Sequence, residues 1–559
     1  MRKIKDGTPL KPSFPQGDVA TKSIPSPTDG WDALSPLALM DSKRAPILTN
    51  WLPRPGWVEL RAGYNIWSST GATYLTGEPI ETIAVYRTKF IETMFIAGGG
   101  KIYDASEQFT ATQVLSGFAN NRWQYINYNI PSGPTVIQLV NGTDPLQMWN
   151  GTVWTVPVIT GLPGGVGTTD IRNIASQKRR IWYVMNNGGQ GSTIAAFMPT
   201  DAITGPIGGS LDLGSLWNKG GFLQTIANWT IDGGAGPNDY ACFISNKGQV
   251  SIYQGTDPTS PTAWSLVGTF DLPPPIGDRC VTRIGSDVAM ITLQGVIPLS
   301  TGLPFDPSAD RSVAITSRIQ NAMSQSSNMF NQNFGWQLIT FPLQTLMFLN
   351  IPQAENSQQY QYVMNTLTGA WCQFTGWNAN CFELFNNNLY WGDNTGNVNQ
   401  GYVGASDLFA TIDADMQCAF NYLDDPGRTK RMTLVQPLLT TAGNITPFIA
   451  VDTDFSSSTV SAPVTSPTSA LSAWDNALWD VDLWPVGQVN SISWFSVDAL
   501  GHAMAIRMKI NYSGGESNAN GVFDLGVFDT ATFDTGLATT APVLQVNAFG
   551  CVVEMGGFL

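Results

Sequence analysis

One histidine, His502, is all that 559 residues supply. That excludes any metal site built from several imidazoles, and every Ser–His–Asp arrangement would depend on one side chain. His502 lies in the alternating run LGHAMAIRMKI and is expected to be a surface or packed strand residue. Charge is scarce too, at 13% of residues, against about 25% in an ordinary soluble protein. A surface so poor in charge is expected to be covered by partners. Lys and Arg are absent between Arg318 and Arg428, whereas a protein that grips nucleic acid neutralises phosphates with those residues. The 6 cysteines form no CxxC pair and no zinc-type spacing, so they are expected to be buried free thiols of a reducing cytoplasm. No apolar run approaches the roughly 18 residues that span a bilayer. The opening MRKIKDGTPLKPSFPQGD lacks the apolar stretch of a secretory leader. A soluble protein made in the cytoplasm is the expectation.

Recognisable catalytic patterns are missing as well. There is no GxSxG elbow and no P-loop. GLPGGVGTTD (161–170) is glycine-rich, but no helical pattern follows it, so it reads as a loop. No pair of carboxylates stands out for glycoside hydrolysis. No catalytic residue, metal ligand or cofactor is therefore assigned.

What is abundant is turn-forming and aromatic. Hydrophobic residues make up 43%, with 56 Gly, 35 Pro and 19 Trp, the composition of an all-β protein of short strands and tight turns. A unit recurs: an alternating strand, a short turn, a second apolar strand, then Gly or Asn-Gly. It appears as AVYRTKFIETMFIAGGG from Ala84, WQYINYNIPSGPTVIQLVNG from Trp123, IRNIASQKRRIWYVMNNG from Ile171 and TIANWTIDGGAGPNDYACFISNKG from Thr225. CVTRIGSDVAMITLQG from Cys280, WQLITFPLQTLMFLNIP from Trp336 and CFELFNNNLYWGDNTG from Cys381 follow. The sixth ends in Ile351-Pro352 where the others have glycine. Several copies continue into a second, more polar hairpin, such as VSIYQGTDPTSPTAWSLVG after Val250. Two hairpins make a four-stranded blade, and a spacing of roughly 40–55 residues is that of a β-propeller. The pattern predicts a propeller of about seven (six to eight) four-stranded blades over residues 80–405, closed by pairing of Ile83–Arg87 with Asn397–Tyr402. Residues 1–79 would be an N-terminal arm and platform segment, and 406–559 a C-terminal β domain. Between the fifth and sixth units, Ile315, Ile319 and Met323 recur at i, i+4 and predict a short amphipathic helix.

Beyond residue 405 the blade pattern stops. FSSSTVSAPVTSPTSA (455–470) reads as a linker or exposed loop. WDNALWDVDLWP then spaces Trp474, Trp479 and Trp484 five apart, and FDLGVFDTATFD repeats the spacing with Phe523, Phe528 and Phe533. Five is neither a helical nor a strand period, so these rings are expected to be core anchors on turn-rich backbone; a ring-lined sugar site is the alternative.

Net charge is −14, from 28 basic and 42 acidic residues. Residues 1–89 hold 11 of the basic and 8 of the acidic side chains. The acids Glu355, Glu383, Asp393, Asp407, Asp413, Asp415, Asp424 and Asp425 all fall in the stretch without Lys or Arg. They are expected to contribute to a neutral or acidic wall past which a duplex could slide. The alternative is an outward, solubilising surface.

The segment LTNWLPRPGWVELRAGY (48–64), preceded by SPLALMDSKRAPI, resembles the N-terminal stretch of tail nozzle (tail tubular) proteins of short-tailed bacteriophages. In that family an Asn-Trp-hydrophobic-Pro turn and a hydrophobic-Glu-hydrophobic-Arg-x-Gly strand precede a β-propeller. Asn50, Trp51, Pro53, Arg54, Pro55, Gly56, Glu59, Arg61 and Gly63 match. The resemblance implies a structural subunit of the virion tail, assembled in the bacterial host cytoplasm as a homohexameric ring beneath the adaptor. A tail fibre or spike would be a further neighbour. The genome would pass through without specific binding and leave at the host envelope. No catalysis is implied. Two other classes stay open on the sequence: a carbohydrate-binding propeller for host attachment and a propeller glycosidase.

Overall fold

The computed structural model describes residues 19–71, 77–131, 133–232, 237–304, 313–408, 410–441, 445, 447–456, 489–491, 493–512 and 544–558. Its middle is a series of small antiparallel sheets laid down in chain order. Blade 1 comprises Ile80–Arg87, Glu92–Gly98, Lys101–Asp104 and Thr112–Ser116; blade 2 comprises Gln124–Asn129, Thr135–Val140, Gln147–Trp149 and Trp154–Thr155. Ile171–Gln177, Arg180–Met185, Ile194–Phe197 and Gly209–Asp212 form blade 3. Leu223–Asp232, Pro237–Ser245, Gln249–Gly255 and Trp264–Asp271 form blade 4. Blade 5 has 3 strands, Val281–Ile284, Asp287–Thr292 and Gly295–Pro298. Blade 6 is built from Gln337–Phe341, Leu346–Ala354, Gln358–Asn365 and Trp371–Phe374, and blade 7 from Cys381–Phe385, Asn388–Gly392 and Asn397–Gly401 with one strand from the N-terminal segment.

Packing between the sheets makes the series a ring. The second strand of each blade is almost wholly buried, as in Thr135–Val140 and Arg180–Met185. Residues on its two faces enter two different cores, because successive side chains point to opposite faces of a sheet. Phe95 and Ala97 of blade 1 meet Ile137 and Leu139 of blade 2. Val136 and Val140 then meet Ile181 and Tyr183 of blade 3. The pattern repeats through Trp182 with Phe243, Ile244 with Met290, Ile291 with Leu349, and Phe348 with Phe382. Finally Ile83, Val85, Met94 and Ile96 of blade 1 pack on Cys381, Phe385, Tyr390 and Val398 of blade 7. The chain is thus an all-β protein with a seven-bladed propeller.

The closing strand differs from the one the repeats suggested. Ile80–Arg87 pairs within its own blade, with Glu92–Gly98. The partner of Asn397–Gly401 is Tyr64–Ser69, antiparallel. Blade 7 contributes three consecutive strands and leaves an edge of unpaired N–H and C=O groups, which the earlier strand satisfies. A strand from the first 79 residues therefore completes the propeller.

The rest of the N-terminal segment is woven into the C-terminal strands. Val19–Pro25 and Trp57–Leu60 both pair with Leu544–Phe558, which also pairs with Arg428–Thr441. Ile47–Thr49 lies between the outer strand of blade 6 and Ile412–Gln417, so the blade 6 sheet runs on into Met504–Tyr512 and Phe448–Thr453. The two extended sheets share a core that includes Trp51, Leu52, Val58, Met416, Met432, Ile506, Met508 and Phe549. The predicted helix spans Gln320–Phe330, preceded by a 3-10 turn at Ser317–Ile319. Buried Ile319 of the turn and Met323 of the helix fill the core between blades 5 and 6. His502 is not within a strand but in the bend between Phe495–Gly501 and Met504–Tyr512. Trp474, Trp479, Trp484, Phe523, Phe528 and Phe533, and most of 455–470, lie outside the described residues. No helix among the described residues is long and apolar enough to cross a membrane.

Candidate functional site

The residues of the 48–64 motif form one cluster. Trp51–Arg54 and Trp57–Leu60 make a hairpin in which Arg54 faces Trp57 across Pro55-Gly56. Proline presets φ at the first turn position, and Gly56 takes the left-handed φ of +96° at the second. Arg54 reaches out of the hairpin: its Nε donates to Glu59 Oε1 at 2.7 Å and its Nη1 to the Gln344 carbonyl of blade 6 at 2.9 Å. Trp57 Nε1 donates to the other Glu59 oxygen at 3.1 Å. The Pro53 carbonyl accepts from Asn365 Nδ2 of blade 6 at 3.0 Å.

Asn50 and Arg61 go deeper. Both are buried, at 2% and 1% exposure, and Trp51 beside them at 0%. Arg61 forks onto Asp407, with Nη1–Oδ1 at 2.7 Å and Nη2–Oδ2 at 2.5 Å. Its Nε donates to Asn50 Oδ1 at 2.9 Å and its Nη2 to the Thr375 carbonyl at 2.8 Å. The guanidinium also stands over the rings of Phe374 and Trp377. Asn50, at φ 60°, donates from Nδ2 to the Asp413 carbonyl at 2.7 Å and accepts from the Thr375 amide at 2.9 Å. A Cβ on Gly63 would sit 1.7 Å from the Ser406 carbonyl oxygen, so the backbones touch there. The motif residues are thus a clasp that ties the hairpin to blade 6 and to the chain leaving blade 7. The side chains of Asn50, Trp51 and Arg61 are committed inside the subunit rather than offered at its surface.

A second polar cluster crosses the propeller axis. Arg279, in the loop before blade 5, reaches across the ring: its Nη2 donates to the Glu81 carbonyl at 3.1 Å, Thr82 Oγ1 at 2.7 Å and the Trp123 carbonyl at 3.1 Å. No carboxylate among the described residues pairs with it, and burial pushes its guanidinium below its usual value. Phe334 lies under both Arg279 and Arg122. Arg122 pairs with Glu81 of blade 1 and with Glu355 after blade 6's second strand. Arg172 and Gln224 of blades 3 and 4 converge on Asp278. Around the axis, a cavity of about 580 Å³ is lined by Arg87, Thr282, Gln337 and Glu383 among others. There Glu383 accepts from Arg87 at 2.9 Å and from the Tyr125 hydroxyl at 2.6 Å.

These contacts correct the reading of the acidic stretch. Of its eight acids, six have a basic partner: Glu355 with Arg122, Glu383 with Arg87, Asp407 with Arg61, Asp415 with Arg507 and Lys509, Asp424 with Lys22, and Asp425 with Arg428. Asp393 accepts from the Thr395 and Asn397 amides, a turn role. For Glu355, Glu383, Asp407 and Asp424 the cation comes from another blade or the N-terminal segment, for Asp415 from the strand Met504–Tyr512, and for Asp425 from Arg428 three residues on, so these six are not unpaired.

No group of three or more potential metal ligands occurs among the described residues. All six cysteines are free and buried, and burial pushes Cys242, Cys280 and Cys418 up to about 12. His502 stands 3.9 Å from Asp454 and 3.4 Å from the Thr429 hydroxyl.

No family model and no curated protein matches the chain. Among solved structures it is similar to the extracellular domain of a one-component system from B. thetaiotaomicron. The identity is 11% and the TM-score 0.39, covering 69% of this chain and 48% of that one. The chain therefore spans about half the length of that protein. It is also similar to BBS1N in complex with ARL6DN, at 11% identity and TM-score 0.37, over 60% and 97% of the two chains. A third is a Bacteroides uniformis protein described as a 6-phosphogluconolactonase, at 13% identity and TM-score 0.32, over 55% and 87%. Likeness at this distance carries no argument about activity.

Proposed function

We propose that the chain is the structural subunit of a short phage tail that forms the ring-shaped distal nozzle of the DNA-ejection channel beneath the adaptor. The observation that carries this reading is the Asn50–Arg61–Asp407 clasp. The same short segment that resembles the tail nozzle proteins lies where N-terminal hairpin, propeller and C-terminal strands are locked together. A subunit under the pressure of a leaving genome needs its parts to move as one body, and the clasp supplies that. Low charge density fits a surface given over to neighbouring copies, adaptor and fibre. Side chains from blades on opposite sides cross the propeller axis, so the genome's path in this reading runs between copies, not along a propeller axis. Negative-stain imaging of the protein mixed with adaptor rings tests the proposal. Sixfold rings stacked on the adaptor are expected. Monomers alone, or turnover of a host envelope polymer by the purified chain, would overturn it.

A further inference from the structure

A groove of about 820 Å³ lies between the helix Gln320–Phe330 and the outer strands of blade 6, bordering the clasp at Thr375 and Gly376. That is the size of a small-ligand site. No Lys, Arg, Asp or Glu is among the described residues that line it. Its walls carry Gln325, Gln353, Gln358 and Gln373, whose carboxamides have no partner within the chain among the described residues. Its floor is aromatic: Trp31 packs on Tyr362 at 5.1 Å between ring centroids, and Tyr362 on Tyr360 at 5.5 Å. Both tyrosine hydroxyls bond Ser326 Oγ, at 2.9 and 2.8 Å, which fixes the rings in place.

We propose that this groove binds a neutral oligosaccharide. An ionic ligand would find no counter-charge there. A carboxamide presents a donor and an acceptor on one planar head, the complement of neighbouring sugar hydroxyls. The half-buried rings of Trp31 and Tyr360, held in place by buried Tyr362 and by Ser326, offer apolar area to the faces of sugar rings at little ordering cost on binding. A polypeptide adding itself as a strand is disfavoured, because the outer edge of blade 6 is already paired with Ile47–Thr49. The proposal does not depend on ring assembly.

The test is titration of the full chain with short neutral oligosaccharides cut from dextran, mannan and galactan, with oligogalacturonate as the acidic probe and an extended uncharged peptide as control. Binding of at least one neutral probe is expected. It should weaken about tenfold or more in Gln325→Ala/Gln358→Ala, whose exposed side chains support no other part of the fold, with an unchanged melting temperature. Tyr360→Phe, which keeps the ring, should retain most of the binding. No binding to any neutral probe, tighter binding of the acidic probe or the peptide, or undiminished binding in the double variant would overturn the proposal.

Discussion

Arg61 and Asp407 meet as a buried fork-to-fork pair, although 346 positions separate them in the sequence. Every remaining direction of the guanidinium is used, by Asn50, the Ala62 and Thr375 carbonyls and two aromatic rings. A buried pair with its hydrogen bonds satisfied is costly to break from one side, because the abandoned charge stays out of water.

Arg61→Met should therefore destabilise the protein by roughly 3–5 kcal/mol, read by urea unfolding. Arg61→Lys keeps the charge but not the planar fork and should recover only part of that. A loss below about 1 kcal/mol in Arg61→Met, the size of a surface pair, would show that the clasp is not what joins the parts.

Two glycines of the motif should respond differently to alanine. At Gly63 the new Cβ would meet the Ser406 carbonyl oxygen at 1.7 Å, and backbone must move, at a cost on the order of 3 kcal/mol. At Gly56 nothing lies within 4 Å, and only the left-handed φ opposes the substitution, at ~1 kcal/mol. Thermal melts of the two variants give the comparison, and equal losses would contradict it.

The thiols set an alkaline limit. Burial raises Cys242, Cys280 and Cys418 to about 12, and Cys381 and Cys551 to about 11, from about 8.5 in an unfolded chain. Between those values the folded state holds more protons than the unfolded one, so stability falls as pH rises. The contribution is complete below about pH 8.5 and is lost as pH approaches the folded values of about 11 to 12. Ellman's reagent at neutral pH should find almost no reactive thiol in the native protein and all 6 after denaturation. A native thiol that reacts at once would refute the burial argument for that residue.

Much of the propeller could be read from local pattern, because a hairpin is a local object: alternation, a turn, a glycine. Even the sixth unit, with Ile351-Pro352 in place of glycine, forms its hairpin, its second strand running on to Ala354. What could not be read was long-range. Tyr64–Ser69 carries no distinctive pattern, and nothing near it names Asn397–Gly401 as its partner. The motif indicated a Pro-Gly turn and a strand, both present, but gave no sign that Arg61 would find Asp407. The acidic stretch misled for the same reason: Glu383 looks unaccompanied in sequence, yet Arg87 arrives from the neighbouring blade.

The axis offers the sharpest test of how the ring is held. Arg279 belongs to the blade 5 loop, and its three acceptors belong to blades 1 and 2, on the far side of a seven-membered ring. Thr82 is itself buried, at 2%, and its hydroxyl also donates to the Asn121 carbonyl at 2.7 Å. Arg279→Met keeps the length and apolar stem but removes the donors. Hydrogen bonds from a charged group are worth about 1.5–3 kcal/mol, so a loss of ~2 kcal/mol is expected in urea unfolding. The more telling readout is local. Amides of Ile80–Arg87 and Gln124–Asn129 should exchange with solvent faster in the variant, while those of Pro237–Ser245 in blade 4 should not change. Pairing the substitution with Thr82→Val in a double-mutant cycle should show non-additivity, since the two side chains share one hydrogen bond. Uniform exchange across all blades, or strict additivity, would mean that Arg279 fills the axis without tying its two sides together.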